Sequence, residues 1–423
     1  MKSNYSLPLW TILSLLGVIF ILSPAQVGSA QDDDRLPATE EMHVIIVAGD
    51  KETPTHIPAP FSAAEIATRS QAPEAVPINI NYNPASCGGP ISAWPAAART
   101  AFEYAVDIWS LLFESGVIIS IDACWRQDST GALGWAGPSD YYRNFNGAVP
   151  NRWYPVALAN QITGGDLNAG TAEISANFDA TQTWYFGIDG QTPSSQFDLV
   201  SVALHEIGHG LGVSGSMRFD DGTGSNECNG GIFGTGCYGW SNSAMIYDGF
   251  LENGAGQNLI LTYGNNTGAL GTQLISNDLY FNGPATTAAN NNNPAKIFAP
   301  NPFNPGSSIS HLDDATFSGT FHALMTPTIS SGESNHYPGA VALGILDDMG
   351  WGVMDFSHVY VDSQASGVEH GTQVDPFDTL IEGYQAAGNY GVIHMAAGSY
   401  AEAFLLQRPL TIQSTGGSVI IGN

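Results

Sequence analysis

Apolar positions change their spacing several times along this chain, and each change marks a segment. Residues 7–22 form a mainly apolar run after Lys2, with Gly28, Ser29 and Ala30 behind it, which is the layout of a signal peptide. At about 16 residues the run falls short of the roughly 20 needed to cross a bilayer. Residues 31–76 carry Asp32, Asp33, Asp34 and many prolines and alanines, with one strand-like run at 42–47, and read as a propeptide or linker. From Val76 the periodicity sharpens. Residues 77–82 alternate like a strand, and 96–114 place Ala101, Tyr104, Ala105, Ile108, Leu111 and Leu112 on one helical face. Strands are expected at 117–125, 156–162 and 172–178, the last two separated by a glycine-rich turn. A helix follows over 199–211, with Asp198 as its N-cap. This order of strands and helices predicts an α/β layered unit.

Beyond residue 215 the pattern dissolves into Gly, Asn and Ser, so 216–306 is expected to be an irregular insertion with exposed loops. Residues 356–423 return to short strands, at 359–362, 392–395 and 410–412, separated by glycine turns. Evenly spaced short strands suggest a solenoid. The runs Gly371-Thr372 to Pro376-Phe377, Ala397-Gly398-Ser399-Tyr400 and Pro409-Leu410-Thr411-Ile412 resemble the opening coils of right-handed parallel β-helix proteins. The expected organisation is therefore a signal peptide (1–30), a propeptide or linker (31–76), a main unit (77–354) and the start of a parallel β-helix (356–423).

Composition narrows the function classes. With 423 residues the chain is too long for one ordinary core, and 43% hydrophobic residues suffice to build more than one. Loss of Lys2 with the signal peptide leaves 39 acidic against ten basic residues, a net charge of −29. Nucleic acid is a poor partner for such a surface. The even set Cys87, Cys124, Cys228 and Cys237 fits disulfides in an exported protein. Cys228 and Cys237 flank a glycine-rich turn and are expected to pair, which leaves Cys87 for Cys124.

The densest chemistry is His205-Glu206-Ile207-Gly208-His209. On a helix, positions i and i+4 share a face, so the two imidazoles can hold one zinc ion while Glu206 reaches a water beside it as general base. Asp220-Asp221-Gly222-Thr223-Gly224 has the composition of an acidic calcium loop without the helix-loop-helix spacing, and calcium stays a secondary expectation there.

Residues 205–212 resemble the metzincin pattern HExxHxxG, although Gly215 stands where the commonest form has a third histidine. In this the chain looks more like leishmanolysin and related bacterial proteases, in which an insertion precedes that histidine. Ala323-Leu324-Met325-Thr326-Pro327 resembles the metzincin Met-turn, with Met325 beneath the metal, and 340–351 resembles the terminal helix. The resemblance implies a metzincin-like domain with a mixed twisted sheet, an active-site helix and an irregular C-terminal subdomain. It also implies that Val156, Ala157, Leu158, Ala159 and Asn160 form the edge strand to which a peptide substrate adds. His311, standing 14 residues before Met325, is the expected third ligand, with His322 and Asp313 as alternatives. The function implied is a secreted, extracellular or cell-surface zinc endopeptidase with protein or peptide substrates and no membrane span once the signal peptide is removed. A competing reading makes the β-helix segment a surface-binding or carbohydrate-associated module and the zinc domain a non-catalytic passenger.

Overall fold

The computed structural model describes residues 34–422, apart from 40–42, 50–53, 72–74, 129–130, 223–227, 229–231, 240–241, 354–357, 367–370, 372, 374–375, 388–390, 403–405 and 407–408. The signal-peptide assignment lies outside the described residues. In chain order the elements that build the main unit are β1 (Val44–Gly49), α1 (Ala63–Arg69), β2 (Ile78–Tyr82), α2 (Ala96–Ser110), β3 (Ile119–Arg126), β4 (Ala132–Pro138), α3 (Val156–Thr163), β5 (Ile174–Asp179), α4 (Leu199–Leu211), β6 (Thr328–Ser330) and α5 (Ala340–Met349).

Six strands form one mixed sheet in the order β6-β1-β4-β5-β3-β2. β2, β3 and β5 run parallel, β4 runs antiparallel to both β5 and β1, and β6 runs parallel to β1. The chain is thus mixed α/β, as the periodicity predicts. Helix α4 is buried along all 13 residues, its polar Ser201, His205, Glu206 and His209 included. It packs against both the sheet and α2, where the Trp109 indole N–H donates to the Leu204 carbonyl at 3.0 Å.

The described part of residues 31–76 packs on the main unit. β1 lies inside the sheet, and Ile46, Phe61 and Ile66 join the same hydrophobic core as α2, α4 and α5. Capping explains α1: Ser62 accepts from the Glu65 N–H while Glu65 reaches back to the Ser62 N–H.

The expected edge strand at 156–160 is a helix instead. Pro155 precedes it, Ala, Leu and Gln favour helix, and Gly164 closes it in the left-handed conformation at φ 68°. Val156, Ala157, Leu158, Ala159 and Asn160 are all buried in consecutive positions, which a strand with one wet face does not allow. The edges of the sheet are β2 and β6.

The insertion is more regular than its composition suggests. Leu251–Asn253, Leu279–Phe281 and Ala295–Ile297 form a three-stranded antiparallel meander whose inward residues belong to the main core. Its helix Pro284–Ala289 docks on α5, where Asp348 accepts from the N–H groups of Ala285 and Thr286 at 2.9 Å each. A side chain at Gly344 would strike the Thr286 backbone at 2.7 Å, so that glycine permits the approach.

Both expected disulfides are present, Cys87–Cys124 and Cys228–Cys237. The C-terminal strands β7 (His358–Val361), β8 (Val392–Tyr400) and β9 (Thr411–Ile421) stack in parallel. Their register puts Val359, Ile393 and Ile412 in one ladder. Val359, Val361, Leu380, Ile393, Met395 and Tyr400 make a core separate from the main one. No described helix is long and apolar enough to cross a membrane.

Candidate metal centre

Helix α4 starts where Asp198 caps it. Its carboxylate accepts from the Ser201 N–H at 2.8 Å and the Ser201 hydroxyl at 2.6 Å, and pairs with His336 Nε2 at 2.8 Å. The helix ends at Gly212, whose φ of 124° is outside the range of ordinary side chains, and the Trp351 indole satisfies the Leu211 carbonyl at 3.0 Å. Between these ends His205 and His209 lie one turn apart on the same face.

The third imidazole arrives on another part of the chain. His311 Nε2 lies 3.2 Å from both His205 Nε2 and His209 Nε2, which are themselves 2.8 Å apart. The residues around it are tethered on both sides. Phe298 N–H donates to the His311 carbonyl, Ile309 N–H to the Phe298 carbonyl, and Leu312 N–H to the Met325 carbonyl. The third strand of the insertion therefore presents His311 to the helix.

Each ring is oriented through its other nitrogen. His205 Nδ1 meets the Leu324 carbonyl at 2.6 Å, His209 Nδ1 the Val213 carbonyl at 2.6 Å, and His311 Nδ1 the Ser307 carbonyl at 2.7 Å. A carbonyl only accepts, so every Nδ1 carries the hydrogen and every Nε2 turns a lone pair toward the same point. Burial lowers the pKa of His205 to about 4 and those of His209 and His311 well below the usual value, which keeps the rings neutral. Three lone pairs converging without a proton among them repel unless a cation lies between them. Zinc–nitrogen bonds of about 2.0–2.1 Å in a tetrahedron set nitrogen atoms about 3.3 Å apart, so the cluster fits such an ion to within a few tenths of an ångström. Among the described residues this is the one group of three or more histidine, cysteine or carboxylate side chains placed to share a metal.

Glu206, next to His205, is fully buried, and neither carboxylate oxygen has a hydrogen-bond partner among the described residues. Burial raises its pKa well above the usual carboxylate range. A side chain at Gly134 would come within 3.1 Å of Glu206 Oε1, so the glycine in β4 makes room for the carboxylate. A buried carboxylate without a partner is costly, and such groups recur where chemistry needs them.

The remaining expected residues fall into two groups. Met325 ends the 3₁₀ turn Ala323–Met325, is fully buried, and lies under the helix, with its sulfur 2.9 Å from where a Gly208 side chain would begin. Gly215 has no room for a ligand, because a side chain there would meet Ile309 at 2.8 Å and Asp248 at 3.1 Å. His322 faces the Val341 N–H at the start of α5, and Asp313 pairs with Lys296 at 3.7 Å, so neither alternative ligand is at the centre. Asn160 is also elsewhere, donating to Glu173 Oε1 at 3.3 Å while accepting from the Leu167 N–H at 2.9 Å. Asp220 is buried and accepts from the Gly222 N–H, but 223–224 of the expected calcium loop lie outside the described residues. The carbonyls of Leu324, Val213 and Ser307 were not foreseen, because main-chain atoms carry no sequence signature.

A family profile described as SPBPB7E8-like matches residues 97–223. The match is under a third of the chain; it takes in α2 through α4 with His205, Glu206 and His209, and stops well before His311. No curated protein matches the chain.

Proposed function

We propose that the protein is an exported, zinc-dependent endopeptidase of metzincin-like build, with His205, His209 and His311 as metal ligands and Glu206 as general base. The observation that carries this reading is the convergence of three Nε2 lone pairs, each fixed by an Nδ1–H···O=C bond, beside the unpartnered carboxylate of Glu206. Zinc bound there would supply Lewis acidity at the scissile carbonyl and raise the acidity of water in the site. Glu206 takes the proton from the attacking water and returns it to the leaving amine. The carbonyls of Leu324, Val213 and Ser307 hold the imidazoles in one tautomer. The disulfides suit an oxidising, extracellular setting. The ladder of β7, β8 and β9 supports reading 356–423 as the start of a parallel β-helix appended to the peptidase.

Glu206→Gln tests the mechanism. The amide keeps the shape and cannot accept a proton, so the variant should retain one zinc per chain and lose about 10²–10⁴ in peptide hydrolysis. Hydrolysis at the parent rate by that variant would rule the mechanism out, and a parent chain that binds no zinc would rule out the centre.

A further inference from the structure

The chain segments that leave the two sides of the metal centre meet again beyond it. After His209 the chain runs through Gly215 to the strand Met217–Phe219, and it approaches His311 from Phe303 through the turn 304–308. Where the two pass, the Gly215 N–H donates to the Ser310 hydroxyl at 3.1 Å, and Ile309 occupies the space that a side chain at Gly215 would need. Past that crossing they bring Phe219 and Phe303 together, with ring centroids 6.1 Å apart. Phe303 is fixed relative to the centre. The N–H groups of Ser307 and Ser308 donate to the Asn304 carbonyl at 3.1 and 2.8 Å, and the Asn304 N–H donates to the Ser308 hydroxyl at 2.9 Å. Ser307 is the residue whose carbonyl orients the His311 ring.

A third ring carries this row into solvent. Phe233 meets Phe219 edge to face, with centroids 6.4 Å apart and planes at 75°. Phe219 is buried, but Phe233 is 74% exposed and Ile232 beside it 67%. Their loop is braced against turning them inward. Met217–Phe219 pairs with Gly236–Tyr238, the Cys228–Cys237 disulfide closes the loop, and the Gly234 N–H donates to the Asp220 carbonyl while the Asp220 N–H donates to that of Thr235, both at 2.8 Å. One exposed apolar side chain carries no message. Two in succession on a braced loop, at the end of a row of rings that starts four residues from Ser307, are placed to meet a ligand of the same centre.

We infer that Ile232 and Phe233 form a secondary binding site for the polypeptide substrate, holding an apolar stretch of the chain whose scissile bond lies at the metal. This rests on the peptidase reading above. The row Phe303–Phe219–Phe233 is continuous with the arm that presents His311, so a bound polypeptide reaches the tip by continuing outward from the centre. The chain's net charge of −28 repels acidic stretches, which leaves apolar, uncharged or basic ones. Rigid presentation reduces the ordering cost of this contact, and tethering through the occupied centre makes it intramolecular. The substrate class that follows is long, unfolded polypeptide with exposed apolar stretches, in preference to short peptides.

The test compares a short quenched fluorescent peptide that the protein cuts with versions carrying, at either end, a spacer of about ten Gly and Ser residues, which spans about 17 Å, and then Phe-Leu-Phe or Asp-Ser-Asp. With the parent protein the Phe-Leu-Phe arm at one of the two ends should lower KM about tenfold at unchanged kcat, and the Asp-Ser-Asp arm should not. Joint Ile232→Ser and Phe233→Ser substitution should abolish that advantage. Ile118→Ser, at a position 50% exposed on the loop before β3, should keep it. A full advantage in the double variant, or its loss in Ile118→Ser as well, overturns the inference. Zinc-loaded Glu206→Gln gives a readout without turnover: fluorescence anisotropy should show the Phe-Leu-Phe peptide bound about tenfold more tightly than the Asp-Ser-Asp peptide, and equally once both tip residues are serine. Tip-dependent binding by a zinc-loaded parent that cuts no peptide keeps the secondary site and sinks the peptidase reading. Tip-dependent binding to phosphatidylcholine vesicles, with no preference among the peptides, assigns the tip to lipid and overturns the inference.

Discussion

Helix α4 and the arm that carries His311 supply one centre in opposite ways. The helix brings His205 and His209 together by its own periodicity, with Asp198 fixing where it begins. The arm brings His311 from 102 residues beyond His209, and it is positioned by three main-chain bonds to strands and turns made elsewhere. Half of the site is therefore a local property, and half depends on the insertion folding. The insertion expected to form loops is what brings the third histidine to the other two.

The largest effects should come from the ligands themselves. His205→Ala and His311→Ala are each expected to abolish tight zinc binding while far-ultraviolet circular dichroism stays near that of the parent, whereas His322→Ala should leave the affinity unchanged. Zinc titration decides it. A folded His311→Ala protein with parent affinity would break the comparison, because the arm would then contribute nothing to the metal.

A smaller loss is expected at the start of the helix. Asp198→Ala strips the cap and leaves His336 and the Ser201 N–H without their buried partner, at a cost of about 3 kcal/mol or more in a urea titration. Asp198→Asn keeps one acceptor and should lose less. If both variants matched the parent, the helix would owe its position to packing alone.

The smallest effect separates the arm by pH. Asp248, buried beside Gly215, accepts from the N–H groups of Ser216 and Met245, and burial pushes its pKa up to about 6 from the usual 3.8. The folded state thus holds this proton longer than the unfolded state. Its contribution is complete below about pH 4 and is lost as the pH rises to about 6, a change of the order of 3 kcal/mol at most. Asp248→Asn should flatten the pH dependence of stability across that window. An unchanged slope would show that Asp248 titrates normally in the folded protein.

The periodicity of residues 77–211 located β2, α2, β3, β5 and α4 to within a few residues, with Asp198 as the cap; the glycine-rich turn paired Cys228 with Cys237, and Cys87 with Cys124 followed by elimination. Apart from the Cys87–Cys124 pair, these features are local: a helical face, a cap or the turn between Cys228 and Cys237 is set by residues a few positions apart. The choice of His311 came from outside such spacing, through a family resemblance that called for an insertion, and the structure brings its ring to the other two. Tertiary structure alone decided the fates of two short apolar runs. Residues 156–160, expected to be an edge strand, are a buried helix, and 44–49, overlapping the strand-like run expected at 42–47, form an inner strand of the main sheet, a place that the run by itself does not give. A run of five or six apolar residues says that it will be buried, but its backbone donors and acceptors can be satisfied within itself or by a partner far along the chain. Which of the two occurs depends on where an unpaired strand such as β4 or β6 is waiting, and that is settled only when the whole chain has packed.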